Sequence, residues 1–241
     1  MPSAKPYRRV VLKISGEGLC APGGSGIDGD ALRRIAGELA GLREIDVQVG
    51  LVVGGGNLVR GRALCQAGLI GRAAADAMGM LATMMNALAL HETLARAGAP
   101  ARVMSTVAMP GFCELYDRRR AAEHLDAGRL VLLAGGTGSP FFTTDSGAAL
   151  RACELDADAV LKATKVDGVF DADPETHPDA AKFDRLTYAE VLARQLGVMD
   201  LAAVSLCMDT GIPVIVFNMG KPGNLAAAAR GENVGTVISA G

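Results

Sequence analysis

Leu132-Leu133-Ala134-Gly135-Gly136-Thr137-Gly138-Ser139-Pro140-Phe141-Phe142-Thr143-Thr144-Asp145-Ser146 opens as an apolar strand, passes through closely spaced glycines and ends in hydroxyls and a carboxylate. Gly147-Ala148-Ala149-Leu150-Arg151 then begins a helical pattern, with Asp145 or Ser146 as the expected N-cap. Strand, glycine loop and helix in that order is where an α/β protein binds anions. Free N–H groups at the helix start face the ligand, and the helix dipole favours negative charge. The glycines are expected to let the backbone approach a ligand closely. Thr137, Ser139, Thr143, Thr144 and Ser146 add hydroxyl donors. Two of the six Phe in the chain sit side by side here, placed to flank a base or close a pocket. An ordinary capped βα turn shares much of this pattern, so the stretch needs support from the rest of the chain.

The chain has 241 residues, enough for one large or two intimate domains with a full core. Its net charge of −2 disfavours nonspecific nucleic-acid binding, and Arg118-Arg119-Arg120 reads as a solvated helix face. The five Cys (Cys20, Cys65, Cys113, Cys153, Cys207) are scattered with no CxxC, as expected of reduced cytosolic thiols. Met1-Pro2-Ser3-Ala4-Lys5 lacks the apolar region of a signal peptide, and no apolar run is expected to span a membrane. A cytoplasmic location follows as an expectation.

Apolar strands are expected at 9–15, 47–53, 101–104, 130–133, 158–161, 214–217 and 236–238. Helices are expected at 30–42, 73–97, 118–127, 186–196, 199–209 and 222–230, with a glycine-rich loop at 16–29. Residues 73–97 are apolar nearly all round, as in a buried helix. Buried strands alternating with helices imply an α/β fold with a mainly parallel sheet covered on both faces, a three-layer αβα sandwich. Ligands bind such sheets beyond the carboxyl ends of the strands, where each glycine loop here falls.

Two further features point to phosphate. Lys13-Ile14-Ser15-Gly16 ends the first strand with a lysine able to hold a phosphate oxygen, although a solvated strand-end lysine fits as well. Gly54-Gly55-Gly56-Asn57 is a second anion cradle, followed by Arg60 and Arg62, and Arg can grip phosphate bidentately. No GxxxxGK[ST] and no GxGxxG occurs, so the P-loop and dinucleotide-binding readings lose their main support. Lys162 and Lys165 both lie just past a strand end, and either could reach the phosphate.

These motifs, together with Asp76-Ala77-Met78-Gly79-Met80-Leu81-Ala82-Thr83, Leu161-Lys162-Ala163-Thr164-Lys165-Val166-Asp167-Gly168-Val169-Phe170 and Phe217-Asn218-Met219, occur in an order that resembles the bacterial uridylate kinases of the amino acid kinase superfamily. The resemblance runs from about residue 8 to the C-terminus. It implies the amino acid kinase fold as a single domain, with an N-terminal acceptor-binding part and a C-terminal ATP-binding part. It implies the reaction ATP + UMP → ADP + UDP, in pyrimidine nucleotide biosynthesis, with Mg²⁺ on the nucleotide phosphates. Lys13, Ile14, Ser15, Gly16, Gly56 and Arg60 would contact the ATP phosphates, with Thr164, Phe170 and Asp173 around the adenine nucleotide. Gly55, Asp76, Thr137, Gly138, Ser139, Pro140, Phe141, Phe142, Thr143 and Thr144 would hold UMP, with Asp76 on the ribose. Lys13, Arg60 and Asp145 would be the catalytic groups, Asp145 orienting the cations. The resemblance also implies a homohexamer activated by GTP and inhibited by UTP, with Ala21, Pro22, Gly23, Gly24, Ser25 and Gly26 as the GTP-linked segment. Ser139 stands where the family usually has Asn, and the loop before Gly26-Ile27-Asp28 lacks the aromatic often found there.

The chemistry is consistent with these residue types. In-line phosphoryl transfer needs two anions brought together and their charge neutralised, and an ionised phosphate acceptor needs no general base. His91, His124 and His177 accordingly read as surface or packing residues, and Asp145 as an orienting group. The alternatives are a kinase of the same superfamily acting on a carboxylate or carbamate, a non-catalytic anion-binding protein on the same fold, and a dinucleotide-binding module.

Overall fold

The computed structural model describes residues 6–241. Residues 1–5, read above for a leader, lie outside the described residues, and so does the side chain of Arg62. In chain order the elements are β1 (Arg9–Ile14), α1 (Gly29–Gly41), β2 (Gln48–Val53), α2 (Gly61–Gln66), α3 (Arg72–Arg96), β3 (Ala101–Ser105), β4 (Glu114–Leu115) and α4 (Arg118–Asp126). They continue with β5 (Leu130–Ala134), α5 (Thr144–Glu154), β6 (Ala159–Thr164), β7 (Val169–Phe170), β8 (Lys182–Phe183) and β9 (Arg185–Thr187). The chain closes with α6 (Tyr188–Ala193), α7 (Leu201–Thr210), β10 (Val214–Asn218), α8 (Asn224–Ala229) and β11 (Gly235–Ser239).

One sheet carries nine strands in the order β4-β3-β5-β2-β1-β6-β10-β11-β9. Among the described residues its one antiparallel pair is β10–β11, and β7 and β8 form a separate antiparallel two-stranded sheet. Because both faces are covered, the centre of β1, Val10-Val11-Leu12, is a continuous apolar run, yet its side chains still alternate. Val10, Leu12 and Ile14 join the core under α1, α3 and α8, whereas Val11 joins the core under α4, α5 and α7. This is the expected three-layer α/β sandwich. The strand order reverses between β1 and β6, so the carboxyl ends of these two strands open the crevice where such sheets hold ligands.

Several local expectations change. Residue 186 was assigned to a helix, but Leu186 lies in β9, paired with Ile238 of β11. The helix begins after it, where Thr187 and Glu190 form a reciprocal capping box. The glycine-rich loop contains a short 3₁₀ turn, Gly16–Leu19. Short elements β4, β7, β8 and α2 carry too few residues to show a period.

Helix α3 was expected to be buried all round. Its Ala82, Met84, Ala87, Leu90 and Leu94 are in the core, but Leu81 and Met85 are 52% and 55% exposed, with Met78 beside them. By length and composition α3 is also long and apolar enough to cross a membrane, which departs from the expectation that no segment is. Here one face of it packs in the sheet's helical layer.

Candidate active site

The centre of the site follows from strand register. β1 and β6 are parallel neighbours with Lys13 opposite Lys162. Lys13 shares the parity of Val11, and Lys162 that of Val160, so both lie on the face covered by α5. Asp145, in the first turn of α5, sits over them: its Oδ1 is 2.8 Å from Lys13 Nζ and its Oδ2 2.6 Å from Lys162 Nζ. All three side chains are nearly buried, at 12–13% exposure. Burial pushes the Asp145 carboxyl up, but the two ammonium groups together outweigh it and hold its pKa below the usual value. Burial lowers the Lys162 pKa, and the attraction of Asp145 only partly restores it. A carboxylate so held is an orienting group, poorly suited to take a proton.

The choice left open between Lys162 and Lys165 is thereby decided for position. Lys165 is exposed, 3.5 Å from Glu17.

The start of α5 differs from expectation. Neither Asp145 nor Ser146 is the N-cap: Thr143 is, its Oγ1 accepting from Asp145 N at 3.0 Å. Thr143 Oγ1 in turn donates to the carboxylate of Asp200. Ser146 donates to the same carboxylate from Oγ at 2.7 Å and from N at 3.2 Å, and Asp200 also caps α7 by accepting from Ala203 N. One carboxylate therefore ties the helix that carries Asp145 to its neighbour. Burial raises the Asp200 pKa, and these hydrogen bonds more than reverse that.

The glycines divide by role. A Cβ on Gly16 would stand 2.6 Å from Asn57 Oδ1 and 2.7 Å from Gly56 N, and one on Gly55 would stand 2.7 Å from Gly79 O. A side chain at either position would collide with these neighbours, so glycine here lets the loops after β1 and β2 nest against each other and against α3. Gly56 differs, since its Cα faces open space.

Beside it lies a cavity of about 180 Å³, lined among others by Gly55, Gly56, Asp76, Thr83, Thr137, Ser139, Phe142, Thr143 and Thr144. Most of the expected acceptor-site residues thus come together, whereas Gly138, Pro140 and Phe141 are outside the lining. Phe141 holds a left-handed backbone (φ 74°), an uncommon state for a side chain of its size. Its N–H donates to Asp76 Oδ2 at 2.7 Å, and Asp76 is also gripped by Arg72 Nε at 2.7 Å. Asp76 therefore pins the loop that closes the pocket.

Arg60 is exposed at the start of α2 and has no ion-pair partner among the described residues. Thr164, at the end of β6, donates to Val166 O at 2.7 Å. Phe170 is half-buried in β7, and Asp173 is exposed and caps a turn by accepting from Glu175 N. These three lie apart from the cavity lining. Ala21, Pro22, Gly23, Gly24 and Ser25 are exposed, and Gly26 is tied to Asn57 through N–H to O at 2.8 Å.

The sequence profile of the amino acid kinase family matches residues 8–218. The chain belongs to that family. Within the family it is similar to uridylate kinases. The uridylate kinase of Pseudomonas paraeruginosa is 56% identical over 235 residues, spanning 98% of this chain and 96% of that one. That of Ectopseudomonas mendocina is 57% identical over 232 residues, spanning 96% and 94%. The crystal structure of UMP kinase from Bacillus anthracis superposes with a TM-score of 0.94 at 38% identity, covering 98% of this chain and 97% of that one.

Sequence reasoning gave no role to Asp200, Thr83 or Arg72. Asp200 was legible only as a helix start. Thr83, whose Oγ1 accepts from Gly135 N at 2.8 Å, sat in a quoted motif, but nothing local says that α3 reaches the loop after β5.

Proposed function

We propose that the protein transfers the γ-phosphoryl group of ATP to UMP, giving ADP and UDP, as a cytoplasmic step of pyrimidine nucleotide synthesis. The observation that carries this reading is the buried Lys13–Asp145–Lys162 group, whose Asp145 directly follows Thr143 and Thr144 in the lining of the pocket that holds Asp76. Near-full-length identity to uridylate kinases supports UMP as the acceptor.

In this reading the N-terminal part binds UMP and the C-terminal part ATP. UMP occupies the pocket, held by Gly55, Asp76 and residues 137–144. ATP lies over the ends of β1, β6 and β10, with Lys13, Ile14, Ser15, Gly16, Gly56 and Arg60 along its phosphates and Thr164, Phe170 and Asp173 nearer the base. Lys13, Lys162 and Arg60 supply fixed positive charge where charge shifts between nucleophile and leaving group. Asp145 bridges the two lysines, offsets their mutual repulsion and keeps them aimed. The acceptor phosphate is already ionised, so positioning and neutralisation supply the catalysis.

Among the described residues no three of His, Cys, Asp and Glu converge as a metal cage, and Asp145 is occupied by lysines. That donor set suits Mg²⁺ carried in on ATP, which binds mainly phosphate oxygens and water. When bound, the ion neutralises phosphate charge.

The exposed Met78, Leu81 and Met85 at helical spacing on α3 support a contact between copies through that face, within the homohexamer that the resemblance implies. Sedimentation as a monomer at micromolar concentration would remove it. In the same reading GTP activates through the 21–26 segment, whose Gly26 N–H is tied to Asn57 O, and UTP is the opposing inhibitor.

The test is ADP release from Mg-ATP with UMP, CMP, dUMP, GMP, carbamate and N-acetylglutamate. Turnover on UMP alone is expected. Turnover on another acceptor would move the substrate assignment, and tight anion binding without turnover would favour the non-catalytic reading.

A further inference from the structure

We propose that Asn57 and Asn86 form a positioning pair that sets the Gly54–Gly55 backbone for the acceptor UMP without touching the substrate. Asn57 lies in the loop after β2 and Asn86 on α3, and both are buried, at 4% and 0% exposure. Their amides pair reciprocally: Asn57 Nδ2 donates to Asn86 Oδ1 at 3.1 Å, and Asn86 Nδ2 donates to Asn57 Oδ1 at 2.7 Å. The remaining N–H of each is also used. Asn86 Nδ2 donates to Gly54 O, and Asn57 Nδ2 donates to Gly26 O, both at 2.7 Å. The two outer carbonyls fix which way each amide points, because a flipped amide would set oxygen against oxygen.

The pair therefore holds several backbone segments at once. Gly54 is the first residue of the cradle, and Gly55, which follows it, lines the pocket. Asn57 Oδ1 fills the notch left by the missing side chain of Gly16, on the loop after β1. Gly26 brings in the 20–28 loop. The cradle also has backbone bonds, Gly54 N to Ile14 O at 2.9 Å and Leu58 N to Gly55 O at 3.0 Å, and the amides add the ties to α3 and to Gly26 O. Buried amides with every donor satisfied resist displacement, since a broken bond leaves a polar group unpaired away from water.

The inference rests on the UMP reading above, and it makes Asn86 a residue that acts on catalysis through Asn57 and Gly54. Asn86→Asp keeps the shape and changes the donors. The ionised carboxylate has no hydrogen to give and faces two oxygens, while the protonated acid can restore one bond. Burial raises the pKa of such a group.

The experiment measures UMP and ATP kinetics across pH for wild type, Asn86→Asp and Asn57→Asp, with melting temperature and calorimetric UMP binding alongside. For folded Asn86→Asp, KM for UMP is expected to rise at least tenfold at alkaline pH and to recover as pH falls, while KM for ATP changes less than threefold. Asn57→Asp, outside the helix, is expected to show the same split. A folded variant with UMP KM within twofold of wild type at every pH overturns the proposal. Failure of both variants to fold does so too, since the pair would then be structural. The wild-type arm reports separately on the UMP reading: if wild type neither binds nor phosphorylates UMP, that assignment falls on its own.

Discussion

Asp145→Asn is the substitution that most directly probes the site. It is isosteric and removes one negative charge from between Lys13 and Lys162, at 2.8 and 2.6 Å. At an effective dielectric of about 20, each contact is worth about 6 kcal/mol of attraction before desolvation. Most of that offsets the cost of burying the ions. What remains on removal of the shared partner is uncompensated buried charge, which typically costs about 3–5 kcal/mol. Denaturant unfolding at neutral pH should show a loss of that size, with kcat lowered roughly 10²–10³-fold for loss of a preorganised charged group.

The pH dependence is a second check on the same variant. The Asp145 pKa is lowered on folding, so its contribution is present above the ordinary carboxylate range and is lost as pH falls through the folded value. The gap between wild type and variant should therefore narrow in acid. The Lys162 pKa is also lowered on folding, so the cost of burying its charge is full below the folded pKa and is relieved as pH rises through it. Without Asp145 that pKa falls further, and the variant should regain stability at lower alkaline pH than wild type. A stability loss below about 1 kcal/mol, with kcat within tenfold of wild type, would refute the assignment of Asp145 as the partner of both lysines.

Arg60→Ala should leave stability within about 0.5 kcal/mol, because the side chain is exposed, and should lower turnover roughly 10²–10³-fold; normal turnover removes Arg60 from the site. Asp76→Ala loses the Phe141 N–H and Arg72 contacts and should weaken UMP binding about ten- to a hundredfold, with a smaller effect on ATP; equal losses for both ligands by calorimetry would count against the acceptor assignment. Gly16→Ala puts a methyl 2.6 Å from Asn57 Oδ1 and 2.7 Å from Gly56 N, so the loops must part, at about 1–3 kcal/mol in thermal unfolding. Unchanged stability there would show that the nested loops are not rigid.

The alternating apolar strands and helices were legible because each is a local pattern. The β1 and α3 boundaries fall within a residue or so of the periodicity. Misplaced features share a cause: their role depends on a distant partner. Leu186 looked helical until β11 paired with it, and α3 looked wholly buried because periodicity does not show which face meets the sheet. Thr143 displaced Asp145 as cap because Asp200, far along the chain, orients its hydroxyl.

The sequence by itself determined the fold class, the glycine loops at strand ends and the stock of phosphate-binding groups, since these rest on composition and short-range spacing. Only the tertiary structure decided which lysine joins the site and what the glycines are for. Lys162 and Lys165 are chemically alike and close in sequence, and what separates them is the β1–β6 register, which puts Lys162 beside Lys13 and under Asp145. Gly16 and Gly55 are glycine because other backbone lies where their side chains would be. Both are facts about segments that meet only when the chain folds, and no local preference encodes which segments will meet.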